Sequence, residues 1–114
     1  MSTGARSHTL FAGILPVSGI IHAVFQIPGD KTCIVKGITL SNRTGSPNSM
    51  SVLHLDNAGS TLAVLEDTGP TIDGAFNGGQ VYGVLESGDW VACFTGEGPA
   101  GAYFGVYGAL LDAD

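Results

Sequence analysis

The sequence predicts an all-β fold: an antiparallel β-sandwich of jelly-roll type, about eight strands long, with an extended N-terminal arm. Three observations predict it. Short runs rich in Val, Ile, Thr and aromatic residues recur along the 114 residues, each bounded by Gly, Pro, Asn or Asp clusters. Apolar and polar residues alternate within these runs, the period-2 pattern of a half-buried strand. No segment carries an apolar stripe at helical spacing. Turn signals at intervals of roughly 8–12 residues suit a sandwich, and a small closed β-barrel is the second reading of the same pattern.

Residues 1–9 are polar and read as the arm, ordered only where it docks. Residues 10–114 form a single sandwich domain. Its strands are expected at 10–15, 20–27, 33–42, 51–56, 61–66, 80–85, 90–95 and 103–111. Pro16 to Gly19 separates the first two strands, and Pro28-Gly29-Asp30 the next pair. Asp56-Asn57-Ala58-Gly59 is a hairpin turn by composition, since Asn and Gly tolerate positive φ. Ser87-Gly88-Asp89 is another tight turn. Residues 67–79 hold glycines and Pro70 and read as the longest loop. Within 51–56, Val52 and His54 face one way and Leu53 and Leu55 the other. Trp90, Ala92 and Phe94 share a face. In the last strand Phe104, Val106, Gly108 and Leu110 share one face, and Tyr103, Gly105, Tyr107 and Ala109 the other. Both faces of that strand are short of charge, so it is expected to be covered on both sides.

Charge narrows the function classes. Charged residues make up 12% of the chain, about half the ~25% of an ordinary soluble domain. The four bases all lie at or before Arg43, and Asp30 is the single acid among residues 1–50, giving that part +3. Residues 51–114 hold nine acids and no base, giving −9 and a net charge of −6. Four bases and a pI of about 4.6 do not build a phosphate-neutralising surface, so no nucleic-acid partner is expected. A hydrophobic content of 44% argues against disorder, and two cysteines do not make a disulfide scaffold.

The uncharged run from Leu10 to Ile27 touches the lower length limit of a membrane span. Pro16 and Gly19 break it, and His22 and Gln26 would be buried in lipid at a cost, so two strands are expected there, with no membrane partner and no secretory leader. Cys33 and Cys93 then read as reduced core residues.

Signs of chemistry are few. There is no Gly-x-Ser-x-Gly elbow, no phosphate loop and no zinc spacing. His8, His22 and His54 have no nucleophile paired with them by sequence. Asp56, Asp67, Asp73 and Asp89 suit turn capping better than calcium binding. No cofactor, metal or enzymatic activity is expected. Phe76, Tyr82, Trp90, Tyr103 and Tyr107 suit packing better than a glycan surface.

One stretch carries a resemblance. Val81-Tyr82-Gly83-Val84-Leu85-Glu86-Ser87-Gly88-Asp89-Trp90-Val91 resembles the strand, Gly-Asp turn and strand of small virion β-sandwiches of tailed bacteriophages. Residues 33–42 look like the matching early strand, and residues 103–111 are similar to the closing one. Trimeric ligand domains of the tumour-necrosis-factor and complement type share the Gly-Asp turn. In physical terms Gly88 supplies positive φ and the Asp89 carboxylate caps the turn. The resemblance implies a structural protein of the virion, a capsid decoration (cement) protein, made in a bacterial cytoplasm. It implies a homo-oligomer, with a trimer expected, in contact with other virion proteins such as the major capsid protein. A tail or neck adaptor, a fibre-attachment module and a glycan- or host-binding module are the alternatives. Leu10, Phe11, Ile14, Leu15, Tyr103 and Tyr107 are the expected interface, with Gly88 and Asp89 as the turn motif. The acidic second half either keeps the protein soluble or meets the basic N-terminal segment of a neighbour.

Overall fold

The computed structural model describes residues 6–42, 48–67, 75–78, 82–96 and 101–112. These hold nine strands: β1 (Arg6–Ile14), β2 (Ile21–Gln26), β3 (Lys31–Asn42), β4 (Met50–Leu55), β5 (Thr61–Asp67), β6 (Ala75–Gly78), β7 (Gly83–Leu85), β8 (Trp90–Thr95) and β9 (Ala102–Asp112). Sheet one runs β1-β9-β3-β6, with β7 also paired to β3, and sheet two runs β2-β8-β4-β5. Every pairing is antiparallel.

The order follows from one operation. Strands β1 and β9, β2 and β8, β3 and β6/β7, and β4 and β5 pair as the nested rungs of one long hairpin. Rolling that hairpin up lays β9 beside β3 and β8 beside β4. That is jelly-roll connectivity, with β6 and β7 together filling one strand position. The sandwich is therefore the one the alternation pattern predicts, and the barrel reading falls away because each sheet keeps two edges.

Three expectations shift. Polar residues 6–9 are not an arm: they are the first half of β1, paired with β9 from Arg6↔Leu110 to Thr9↔Tyr107. Residues 1–5 of the expected arm lie outside the described residues. The expected strand at 80–85 is ordered as β7 only from Gly83, and residues 79–81 lie outside the described residues. Inside the stretch expected to be the longest loop, Ala75–Gly78 forms β6 against Ile38–Ser41 of β3. The uncharged run at 10–27 divides into β1, a turn and β2, and no helix among the described residues is long and apolar enough to cross a membrane.

The core lies between the sheets. Val35, Ile38 and Leu40 of β3 and Phe104 and Val106 of β9 meet Met50 and Val52 of β4 and Val91 and Cys93 of β8, all essentially buried. Backbone closeness sharpens one position: a Cβ at Gly108 would lie 2.5 Å from the Ile34 carbonyl oxygen, so β9 can approach β3 there only without a side chain.

Cys33 and Cys93 are free thiols, both fully buried. Burial pushes the Cys33 thiol up to about 11 and the Cys93 thiol up to about 12. The reactive species is the thiolate, so both are expected to be inert to disulfide-exchange reagents at pH 8 and to react only at the rate of unfolding. Labelling kinetics with and without urea check this. The same shifts set a sign for alkaline stability. The unfolded chain sheds these protons near 9.0 and the folded chain at about 11 and about 12, so their stabilising contribution is intact below pH 9 and lost as pH rises through the folded values.

Candidate functional site

Residues that face each other across paired strands share a face of the sheet, so the register gives both outer surfaces of the sandwich. On sheet one, Ile14 stands opposite Tyr103, which stands opposite Ser41; Ala12 is opposite Gly105, and Gly105 opposite Thr39; Thr9 is opposite Tyr107. The Tyr107 ring lies along this face over Gly105, where a Cβ would meet its hydroxyl at 2.5 Å. This face mixes hydroxyls, glycines and aromatic rings.

The expected interface residues divide on this evidence. Ile14 is exposed on the outer face of sheet one, and Tyr103 and Tyr107 are half-buried there. Leu10 and Leu15 are buried in the chain's own core, and Phe11 packs against that core. The cause is a register shift in β1 between Thr9 and Phe11. Simple alternation would put Leu10, Ala12 and Ile14 on one side. The bulge turns Leu10 and Phe11 both inward and leaves Ala12 and Ile14 outward.

Sheet two carries a face the sequence did not single out. Its rows are Ile21–Phe94–Ser51–Asp67, then Ala23–Ala92–Leu53–Val64, then Gln26–Trp90–Leu55–Thr61. Leu53, Leu55 and Ala92 form an apolar cluster separate from the core, with Trp90 and Phe94 packed against it. Ile21 at one edge and Val64 at the other are 49% and 57% exposed. No described strand packs on this face. Trp90 is half-buried and packs against this cluster. Asp67, at the β5 end of the first row, is the one charged residue in these three rows.

The charged and polar groups gather at the end of the sandwich where β2 meets β3. Gly88 has φ 88°, the left-handed region that favours glycine, and its amide donates to the Ile27 carbonyl at 3.0 Å. The Asp89 amide donates to the Glu86 carbonyl at 3.0 Å, and the Ile27 amide donates to the Asp89 carbonyl at 2.8 Å. The Asp89 carboxylate Oδ2 accepts from the Glu86 amide at 3.1 Å and meets His54 Nε2 at 2.8 Å. Ser87 donates its hydroxyl to the Lys31 carbonyl at 2.6 Å, and Lys31 pairs with Asp112. Gln26 donates from Nε2 to the Gly88 carbonyl and to Asn57 Oδ1. The Gly-Asp turn thus ties together β2, β3, β4 and β8. His54 and Asp89 stand 35 residues apart in sequence, and no local signal pairs them.

The remaining candidates are spread out. His22 Nε2 lies 2.8 Å from the Val17 carbonyl, and His8 is exposed on β1. Asp56 caps its own turn, accepting from the Ala58 and Ser60 amides, both at 2.9 Å. Asp73, Phe76 and Pro70 are not among the residues whose side chains are described. The described residues contain no cluster of three or more metal-ligating side chains.

No protein-family model matches this sequence, and no curated protein matches it. Among solved structures, the fold is similar to a chain in the structure of the infectious bursal disease virus Gx strain. The match has a TM-score of 0.50 and 12% identity, and covers 97% of this chain and 32% of that one. A chain in the structure of the Gt strain of the same virus is similar over 97% of this chain and 34% of its own length, with 10% identity and a TM-score of 0.45. This chain spans about a third of the length of the chains it matches. At such low identity the likeness is one of fold.

Proposed function

We propose that this chain is a non-enzymatic structural protein of a virus particle, a capsid decoration protein of a tailed bacteriophage that is made in the host cytoplasm and works by packing against its own copies and other virion proteins. The observation that carries this reading is a jelly roll, of a fold also seen in a virus structure, whose sheet faces carry little charge although the chain bears −6. An isolated domain ordinarily keeps polar residues on its outer sheet faces. Here most of the described charges sit at strand ends and turns, with Lys36 exposed within β3, and the broad surfaces are otherwise left to apolar, hydroxyl and aromatic groups. Fold alone does not fix function, since lectin-like and enzymatic jelly rolls exist, so the surface decides between them. Trp90 is half-buried against its own sheet, and the described His–Asp pair, His54 with Asp89, is taken up in the Gly88-Asp89 turn, where the same carboxylate caps the Glu86 amide.

The test is the particle itself. Mass spectrometry of purified particles from the producing host is expected to find this chain at a fixed copy number relative to the major capsid protein. Cryo-electron microscopy is expected to place it on the head. Recovery only from the soluble fraction would sink the virion reading, and density at the neck or tail would replace decoration with an adaptor role.

A further inference from the structure

We infer that this chain exchanges its first strand with a second copy. β1 leaves its own β9, pairs with the β9 of the other copy, and is replaced by that copy's β1, so that the turn at 15–20 straightens into a hinge crossing a two-fold axis. The inference goes beyond the virion reading and rests on it only for its biological setting.

The slot that receives the strand is already defined by its present occupant. β1 is an edge strand, laddered among the described strands to β9 alone. A second copy's β1 has the same sequence, so its contacts are remade on exchange. These are the ladder from Arg6 to Ile14, the burial of Leu10 and Leu15, and the Leu15 amide donating to the Ala102 carbonyl at 3.2 Å. What changes is the turn. Leu15 precedes Pro16, and a residue before proline is held extended, so the chain leaves β1 already straight. Gly19 supplies the bend, at φ 81°. Two hydrogen bonds hold the bend closed, from the Gly19 amide to the Thr95 carbonyl at 2.9 Å and from His22 Nε2 to the Val17 carbonyl at 2.8 Å.

The side chains of the turn show what the straight form gains. Of the seven large apolar residues exposed among the described ones, four lie within eight positions of one another: Ile14, Val17, Ile20 and Ile21. In the closed turn they face solvent. Two hinges crossing antiparallel at the axis cover them with their own counterparts. Charge permits the crossing. No Asp, Glu, Lys or Arg stands between Arg6 and Asp30, so two chains of net −6 meet there without opposing carboxylates. The exchange thus gives up the hydrogen bonds of the bend and buries apolar surface in return, and higher concentration favours it. Leu10 and Leu15 must leave the core for β1 to move, so the two forms interconvert through local unfolding and the pair survives dilution.

Cysteines placed across the β1–β9 ladder test it. Thr9 and Tyr107 face each other on the outer face of sheet one, at the roughly 5 Å between Cα atoms of an antiparallel pair, which a disulfide spans. The full chain carrying Thr9→Cys and Tyr107→Cys is refolded from urea under reducing conditions at high concentration, separated by size and then oxidised, with Cys33 and Cys93 buried throughout. The expected result is a dimer fraction whose chains become linked to each other, and a monomer fraction linked only within itself. Hinge variants of the parent chain give a second readout. Gly19→Ala strains the closed bend and is expected to raise the dimer fraction at least fivefold. Val17→Asp sets like charges against each other at the axis and is expected to lower it at least tenfold. Val84→Asp, an equally charged change at an equally exposed position on β7, leaves it unchanged. Thermal melts of the monomer fractions check that the variants fold. A monomer at every concentration, a dimer linked only within its chains, linked trimers or ladders, a Gly19→Ala chain no more dimeric than the parent, or equal responses to Val17→Asp and Val84→Asp would each overturn the proposal. Exchange in solution and presence in particles are separate measurements, so the virion reading stands or falls on its own.

Discussion

Phe104→Ala is expected to cost about 3–5 kcal/mol of folding stability, the range for emptying a large buried aromatic site. Phe104 is fully buried near the start of β9, the strand that β1 and β3 flank in sheet one. Its partners across the two ladders are Gly13 and Leu40. Glycine on one side leaves room for aromatic rings, and the Phe11 ring reaches to within 3.4 Å of where a Gly13 Cβ would stand. The surrounding strands cannot collapse without breaking registers on both sides, so most of the cavity should persist. With native stabilities of roughly 5–15 kcal/mol, the variant would stand near the edge of unfolding at 37 °C. Urea titration followed by fluorescence reads the effect as a lower midpoint with an unchanged slope. Tyr103→Ala is the matched control. Its side chain points to the opposite face and is half-buried, so it should cost no more than about 1 kcal/mol. Equal losses at the two positions would show that the inward and outward faces of β9 are wrongly assigned.

That contrast between neighbouring residues was legible in the sequence, because alternation needs only a strand and its period. The same holds for Val52 against Leu53 and for the shared face of Trp90, Ala92 and Phe94. What stayed hidden has three physical causes. Bulges reset the period: the one in β1 sends Leu10 and Phe11 inward together, so two of the six residues expected at the interface face the core. Pairing overrides local propensity: Ala-Phe-Asn-Gly reads as loop, yet Ala75–Gly78 becomes a strand because β3 offers it a ladder. The polar start of β1 is a strand for the same reason, with β9 as its template. Rows across a sheet come from distant residues. Ala23, Leu53, Val64 and Ala92 reach one line only through three strand pairings, and no window of sequence shows that line. The sequence did contain the charge deficit that such a face requires, without saying which strands carry it.

The Gly88-Asp89 turn joins what was legible to what was not. Asp89→Ala is expected to cost about 2–3 kcal/mol, because removing the carboxylate leaves two donors without their acceptor, one of them at a nearly closed site. One is the Glu86 amide, the local turn contact that an aspartate in this position supplies. The other is His54 Nε2, brought in from β4 by the fold. Both side chains of the pair are only 13% and 14% exposed, so water replaces the lost contact poorly. His54→Ala leaves the Glu86 amide satisfied and should cost less, about 1–2 kcal/mol. A double-mutant cycle on the two residues separates the pair from the turn. A coupling energy of about 0.5–3 kcal/mol is expected, the range for residues in direct hydrogen-bonded contact. Asp89→Asn sharpens the result, since its amide keeps one oxygen for the Glu86 N–H and so preserves the cap while losing the carboxylate charge. If Asp89→Asn is as damaging as Asp89→Ala, the charge facing His54 dominates. If it is nearly neutral, the local cap dominates. A coupling energy indistinguishable from zero would mean that the turn holds by itself and that β4 is anchored through its ladders alone.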